Sequence, residues 1–263
     1  MPSACSKFGT SPRSGDKIVA GCAEMAKFAV YTIPAADSAL YRRGSEMLGY
    51  DVRTGELLPE TNETRAALPE FDPAWVKQPQ SYGFHMTTGY SLFFEIERLP
   101  EIERTMEDVF NCFSSTTEFW LHPAQSDHVP FWRDEIVVLH YEPNPMMLLL
   151  HAMLITQVNP LGTGSNPSRK FAEADPTTLD PVQAHRVRQY YTPYMLDGWR
   201  PHFSLMYPYT GTMPAAMRDA LIALFPAEPL RVESICLCVS DDHETHYKLH
   251  REFHLTDFPQ ALL

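Results

Sequence analysis

Two short motifs in this chain pair a histidine with a hydroxyl-bearing residue two positions later. The first is His85–Thr87 and the second is His202–Ser204. Both lie in aromatic, apolar stretches typical of β-strands, where side chains two apart point to the same face. One such pair is weak evidence for a site, because hydrogen-bonded histidines are common in protein cores. Two pairs of the same kind predict that both motifs contribute to one shared site.

The residue types in these motifs suit acid–base chemistry on a phosphodiester. Hydrolysis of a cyclic phosphate needs a base that takes a proton from water and an acid that protonates the leaving oxygen. Imidazole can fill either role because its pKa lies near neutrality. The hydroxyls of Thr87 and Ser204 can donate hydrogen bonds to the non-bridging oxygens as charge develops there. We therefore predict His85 and His202 as catalytic residues, in an order that the sequence leaves open, with no metal ion and no cofactor.

The elements that must position these motifs follow from hydrophobic periodicity and from capping residues. Strands are predicted near residues 27–34, 83–94, 119–122, 135–141, 200–207, 230–239 and 247–255, and helices near 36–48, 64–68, 98–113, 145–158, 179–190 and 213–225. Strands and helices are mixed without a regular β-α-β repeat. This order favours an α+β fold with mainly antiparallel sheets. The two motifs are far apart in the sequence, as expected if each half of a duplicated architecture carries one.

The chain length of 263 residues fits one large domain or two closely packed lobes. Residues 1–24 are rich in Ser, Gly and Lys, and we expect them to be a disordered N-terminal extension, with Met25 as a candidate natural start. Residues 25–263 are then a single bilobal domain with a cleft between the lobes. The loop at residues 159–176 is rich in Gly, Pro, Ser and Asn, and it is either the boundary between the lobes or a lid over the cleft.

Composition limits the classes of partner. The formal net charge of −12 argues against an extended nucleic-acid surface but is compatible with a local basic pocket for one phosphate. The sequence has neither an apolar run of transmembrane length nor a secretory signal, and its five cysteines lack the spacing of a disulfide framework. We expect a cytoplasmic monomer without membrane contact. Its partner would be a small phosphorylated substrate or an RNA end.

Longer segments around the motifs carry a family resemblance that extends over roughly residues 27–255. They are Phe28–Asp37, Leu48–Glu56, Tyr82–Thr87, Leu179–Gln183 and Pro193–Leu205. With its two motifs, the chain resembles the 2H phosphoesterase superfamily, whose members carry two His-x-Thr/Ser motifs on a bilobal, pseudo-twofold α+β fold. Within that superfamily it is most similar to the branch encoded beside phosphonate-utilisation genes.

The resemblance implies a metal-independent cyclic phosphodiesterase. Its substrate would be a 2′,3′-cyclic nucleotide, an RNA end or a sugar cyclic phosphate from phosphonate metabolism. The sequence departs from the branch at two places: Thr88-Gly89 follows the first motif where Leu-Lys is usual, and Ser204 replaces a usual threonine. The missing lysine removes a cationic phosphate contact and leaves the substrate open. The alternative function is a non-catalytic protein that binds a phosphate ligand or a nucleotide on the same scaffold.

Further residues are candidates for contacts with substrate or phosphate. Arg200 lies two positions before His202 and should share its face, either as a phosphate contact or in an outer salt bridge. Tyr194 matches a tyrosine of the family pattern and is either a pocket hydroxyl or a packed side chain. Tyr31, on the first strand, is placed to line the cleft. Arg169, with its neighbour Lys170, falls in the predicted lid, where it either contacts substrate or is solvated.

The remaining histidines are predicted to lie outside the site. The series His243, His246, His250 and His254 could hold a metal if it were helical, which would make the protein a metal-dependent hydrolase. A strand over residues 247–255 makes that spacing misleading, and tetrahedral zinc sites usually show tighter pairing, so no metal is expected. The other histidines have no partner motif and are interpreted as scattered surface or core residues: His122, His128, His140, His151 and His185.

Overall fold

A computed structural model of the chain describes residues 24–132, 135–163, 179–210, 212–241 and 246–256. The described residues form eleven strands and seven α-helices. The strands are β1 (Met25–Thr32), β2 (Tyr50–Asp51), β3 (Glu56–Leu57), β4 (Met86–Glu95), β5 (Trp120–Pro123), β6 (Phe131–Trp132), β7 (Ile136–Pro143), β8 (His202–Met206), β9 (Leu230–Arg231), β10 (Ser234–Asp241) and β11 (Lys248–His254). The helices are α1 (Ala39–Leu48), α2 (Glu63–Ala66), α3 (Lys77–Gln80), α4 (Leu99–Phe110), α5 (Pro145–Gln157), α6 (Pro181–Tyr190) and α7 (Ala215–Leu224).

Nine of these strands form one curled sheet in the order β11-β10-β1-β4-β8-β7-β5-β9, with β6 beside β7. All pairings among them are antiparallel, and β2 and β3 form a separate hairpin. The predicted α+β class with mainly antiparallel strands is therefore confirmed. Both motif strands, β4 and β8, lie side by side at the middle of the sheet.

Local signals in the sequence placed most of the helices. Helix α1 begins after Ser38, whose side chain accepts a hydrogen bond from the Tyr41 amide, and it ends at Gly49, which has φ of 77°. Helix α6 begins with a capping box between Asp180 and Gln183. The C-terminal segment is strand β11, as predicted.

Several predicted boundaries were wrong by a few residues, and one strand is divided. The strand expected from residue 83 begins at Met86, because Gly83 has φ of 71° and interrupts the extended backbone. The strand expected over 230–239 is split into β9 and β10, since the Val232 amide turns to donate to the carbonyl of Phe119. The helices expected over 36–48, 98–113 and 213–225 are each shorter at one or both ends.

The core directly below the motifs is aromatic. The rings of Phe84 and Phe203 are fully buried and stack with centroids 4.8 Å apart. Each precedes or follows a motif histidine by one residue and therefore points away from it. Gly44 of α1 leaves room for Phe84, because a Cβ there would lie 2.2 Å from the ring. This packing fixes β4 against β8.

Some predictions fall outside the described residues. They concern residues 1–23 of the expected N-terminal extension, Arg169 and Lys170 with most of the 159–176 loop, and His243. Among the described helices, none combines the length and the apolar character needed to cross a membrane.

Candidate functional site

The two motifs meet because β4 and β8 pair in antiparallel register, with Met86 opposite Phe203. One step to either side of that pair, His85 lies opposite Ser204 and Thr87 lies opposite His202. Each imidazole therefore faces the hydroxyl residue of the other motif. In such a register the two histidines are diagonal neighbours, about 7–8 Å apart and somewhat less between their Cβ atoms.

The backbone orients both imidazoles in the same way. The Nδ1–H of His85 donates to the carbonyl of Gly83 at 2.9 Å, and the Nδ1–H of His202 donates to the carbonyl of Arg200 at 2.6 Å. A carbonyl can only accept, so each neutral ring carries its proton on Nδ1 and presents Nε2 as an acceptor. A local twofold axis through the Met86–Phe203 pair relates His85 to His202, and it likewise relates the two acceptor carbonyls.

Aromatic rings hold the imidazoles in place. Tyr31 stacks on His85 with ring centroids 3.6 Å apart, and Tyr82 meets the same imidazole edge-on at 6.1 Å. Trp132 meets the His202 ring edge-on at 4.9 Å. These contacts restrict rotation of each ring about χ2, so that the Nε2 atoms keep a fixed direction.

Burial favours the neutral form of both histidines. Desolvation lowers the pKa of His85 from 6.5 to about 4, although its hydrogen bond to Gly83 opposes the shift, and the nearby His202 lowers it further. Desolvation also lowers the pKa of His202, and the nearby His140 lowers it further. Both rings are therefore neutral at pH 7.

Two adjoining cavities open onto the motif residues. The larger has a volume of about 700 Å³, and its wall includes Thr87, His202 and Arg200. The smaller, of about 200 Å³, is lined in part by Ser204 and again by His202. His85 is half-buried and contributes to neither wall, but its Nε2 lies 3.4 Å from the Thr87 hydroxyl.

The other predicted site residues are distributed unevenly. Arg200 and Tyr194 both line the larger cavity, and the Arg200 side chain is anchored through Nη1 to the carbonyls of Asp197 and Trp199. Tyr31 does not line this cavity: it is only 2% exposed and lies behind His85. Its role in the site is to hold the imidazole. Arg169 lies outside the described residues.

The departure at Thr88-Gly89 has a structural counterpart. A register shift in the pairing of β4 with β1 leaves Thr88 as an extra, buried residue, and its hydroxyl bonds that of Thr32 at 2.7 Å. Gly89 then lies against Val30, where an added Cβ would be 2.8 Å from the valine Cβ. In this chain, position 89 is packed against the core.

Two histidines that were interpreted as scattered surface or core residues, and predicted to lie outside the site, belong to its surroundings. His140 on β7 lies directly opposite His202 and lines the larger cavity. His151 on α5 is fully buried, and its Nδ1–H donates to the Thr88 carbonyl at 2.8 Å. Neither residue has a sequence motif of its own. Only the pairing of β7 with β8 and the packing of α5 on β4 bring them to the site.

Trp199 links the two motifs. Its indole stacks on the His151 ring with centroids 4.0 Å apart and planes 3° from parallel. Its Nε1–H donates to the carbonyl of Thr87 at 3.2 Å. The residue three positions before His202 thus holds the backbone of the first motif. Its sequence position gave no sign of this, since Trp199 reads equally well as an ordinary core residue.

Metal ligation has no visible basis in the part of the chain that the structure describes. No group of three or more His, Cys, Asp or Glu side chains is suitably clustered there. Of the C-terminal histidines, His250 bonds Glu103 at 2.8 Å on one side of β11. The residues at the paired motifs supply imidazoles, hydroxyls and a guanidinium, which are groups that bind and protonate oxyanions.

Comparison with known proteins adds one finding. A family model described as "Protein of unknown function (DUF1045)" matches residues 133–248, which is less than half of the chain. The matched region contains the second motif, Trp199 and His140, but not the first motif. No curated protein matches the chain.

Proposed function

We propose that this protein is a metal-independent phosphoesterase of the 2H type that hydrolyses a cyclic phosphodiester. The observation that carries the proposal is the twofold-related placement of His85 and His202. Each imidazole is fixed through Nδ1 by the carbonyl two residues earlier, and each faces the hydroxyl residue of the other motif. The same symmetry supports a bilobal, pseudo-twofold 2H fold.

In the proposed reaction, one neutral histidine accepts a proton from water through Nε2 as the water oxygen attacks phosphorus. The other histidine, protonated, donates its proton from Nε2 to the leaving ring oxygen as the P–O bond breaks. The cyclic diester and water thereby become a phosphomonoester with a free hydroxyl. The two histidines exchange protonation states, and solvent restores them before the next turnover.

The hydroxyls and the anionic substrate complete this chemistry. Thr87 and Ser204 donate to the non-bridging oxygens, where negative charge grows in the transition state. An anion between the rings favours protonation of one of them, because it opposes the effect of burial on the histidine pKa. Substrate binding therefore prepares the acid that the reaction needs.

The substrate proposed is a small molecule: a 2′,3′-cyclic nucleotide, an RNA end or a sugar cyclic phosphate. The net charge of −12 disfavours a long nucleic acid. Cys112, Cys236 and Cys238 are free thiols, which suits a cytoplasmic location. Binding without turnover is the second candidate, and the observation in its favour is Gly89, which provides no cation for the phosphate.

The test is a panel of nucleoside 2′,3′-cyclic phosphates and sugar cyclic phosphates assayed with purified protein in EDTA. We expect phosphomonoester products, with one of the two possible P–O bonds broken selectively. Calorimetry of the same ligands runs in parallel. Ligands that bind but stay intact would favour the binding protein, and turnover that needs an added metal would overturn the two-histidine mechanism.

A further inference from the structure

A third imidazole, outside both motifs, faces the larger cavity. His140 is half-buried, and because it lies opposite His202 in the β7–β8 register it projects to the same face. No described residue hydrogen-bonds either of its ring nitrogens, whereas His85 and His202 are each anchored through Nδ1. The Trp132 ring packs edge-on against the rings of both His140 and His202, with centroid distances of 5.0 and 4.9 Å. His140 is thus held at the cavity wall with its polar atoms uncommitted.

This imidazole breaks the local symmetry of the site. The position that the twofold axis would relate to His140 lies beside His85, just past the end of β1. It is occupied by Ile33, which is 3% exposed. A purely structural role in the paired strands would not require a histidine on one side only. The two motifs are therefore related by the local twofold axis, whereas their neighbours are not: His140 lies beside His202 and Ile33 lies beside His85.

A guanidinium lies on the same flank. The Nη1 of Arg200 donates to the carbonyls of Asp197 and Trp199, at 2.9 and 3.2 Å. Among the described residues, no carboxylate is within ion-pair distance of Arg200, although Glu142 lies across from it on β7. By contrast, Arg186 and Arg218 each pair with an aspartate, at 2.5 and 2.6 Å. The charge of Arg200 is therefore available to a ligand in the cavity.

The order of strands separates this flank from the reacting phosphate. The sheet runs β4, β8, β7, and neighbouring strands lie about 4.7–4.9 Å apart. The two motifs enclose the space between β4 and β8, whereas His140 lies on β7, on the far side of His202 from β4. Arg200 lies two residues before His202, on the segment that leads into β8. The cavity volume of about 700 Å³ accommodates a ligand much larger than one phosphate.

We propose that Arg200 and His140 form a second anion-binding subsite, so that the substrate is a cyclic phosphodiester that also carries a phosphomonoester. This inference rests on the proposed function and adds the substrate class. A monoester dianion accepts hydrogen bonds from the guanidinium and from the imidazole, which gains a proton when the anion binds. The groups that act on His140 besides burial are Glu142 and Asp127, which favour its protonation, and Arg200 and His128, which oppose it.

The subsite is tested with two substrates that differ only in the second anion. They are adenosine 2′,3′-cyclic phosphate and its 5′-phosphorylated counterpart. For the wild type we expect a higher kcat/KM with the 5′-phosphorylated substrate. Arg200→Gln and His140→Asn should each raise KM for that substrate by about 10–100-fold, the range expected for one charged hydrogen bond. For the substrate without the 5′-phosphate, KM should change less than about 3-fold.

Matched controls remove the same residue types elsewhere. Arg231→Gln and His122→Asn, at exposed positions on β9 and β5, should leave both KM values unchanged. Equal losses on both substrates, or none, in the two subsite variants would overturn the subsite while leaving the phosphoesterase proposal standing. If the wild type hydrolyses neither these two substrates nor any cyclic phosphate of the panel described above, the phosphoesterase proposal fails. The subsite is then tested by calorimetry with adenosine 5′-monophosphate and adenosine: equal binding of the two overturns it, and selective loss of the nucleotide in Arg200→Gln supports it.

Discussion

At the scale of single residues, the properties of His85 and His202 depend on the carbonyl that each one faces. A free imidazole exchanges its proton between two nitrogens, but the carbonyls of Gly83 and Arg200 select one tautomer for both rings. Both Nε2 atoms are thereby available for proton transfer without rearrangement.

The first prediction concerns these two imidazoles. We expect His85→Ala and His202→Ala each to lower kcat by about 10²–10⁴-fold, because each removes one proton-transfer group. Circular dichroism should show an unchanged fold, and His122→Ala is the control for loss of an exposed histidine. Near-wild-type turnover in either motif variant would rule out the two-histidine mechanism.

The second prediction concerns pH. The productive form has one histidine protonated and the other neutral, and burial lowers the pKa of both in the free protein. That form is most populated at a pH between the lowered pKa values of His85 and His202, whichever residue is the acid. We therefore expect kcat/KM to be greatest below pH 6.5 and to fall as pH rises above it. An optimum above pH 7.5 in the measured profile would contradict this assignment.

At the scale of elements, helix α5 and the segment before β8 donate hydrogen bonds to the backbone of the first motif. His151 holds the carbonyl of Thr88, and Trp199 holds that of Thr87 while stacking on His151. These bonds fall where the register shift removes β4 from regular pairing. They hold the backbone of the first motif at this irregularity, next to the Thr87 hydroxyl that lines the cavity.

The third prediction tests this support. Trp199→Phe keeps a ring against His151 but removes the Nε1–H donor to Thr87. We expect kcat to fall about 10-fold through misplacement of the hydroxyl, with KM less affected. Unfolding in urea should show a loss of only about 1 kcal/mol, the usual net value of one hydrogen bond. Trp120→Phe, at a half-buried indole on β5, is the matched control and should leave kcat unchanged.

The fourth prediction concerns Gly89. A Cβ at this position would lie 2.8 Å from the Cβ of Val30, so Gly89→Lys should destabilise the protein by about 1–3 kcal/mol through overpacking. Thermal unfolding measures the loss. Adding Val30→Ala should recover part of it by making room beside β1. If Gly89→Lys is as stable as the wild type, position 89 is not confined as described.

At the scale of the whole molecule, burial lowers the pKa of several histidines at once. His85, His128, His140, His151 and His202 all shift in this direction, with desolvation as the largest cause in each case. The unfolded chain therefore binds more protons than the folded protein as pH falls below about 6.5. Stability is fully present above that pH and decreases toward pH 4.

The fifth prediction concerns His151, which is fully buried. The pKa of His151 is lowered to about 4, which corresponds to a loss on the order of 3 kcal/mol between pH 6.5 and 4. We expect His151→Asn to reduce Tm at pH 7 but to make Tm less dependent on pH over this range. His122→Asn, at an exposed position, should leave the dependence as it is in the wild type. If Tm depends on pH in His151→Asn as it does in the wild type, His151 is not a source of the acid sensitivity.

The sequence by itself determined the features that depend on near neighbours. Alternation along extended backbone put His85 with Thr87 and His202 with Ser204. Capping residues located the start of α6 and the end of α1. These follow from backbone geometry over a few residues, which local sequence controls. The α+β class followed in the same way, from the order of periodic segments.

Only the tertiary structure decided which distant residues share the site. The register of Met86 against Phe203 sets each imidazole opposite a hydroxyl, and nothing in either motif specifies that pairing. His140 and Trp199 join the site through strand pairing and through packing against α5. Tyr31 was expected at the cleft but lies behind His85. Such contacts depend on burying the side chains of several elements together, so their partners cannot be read from spacing along the chain.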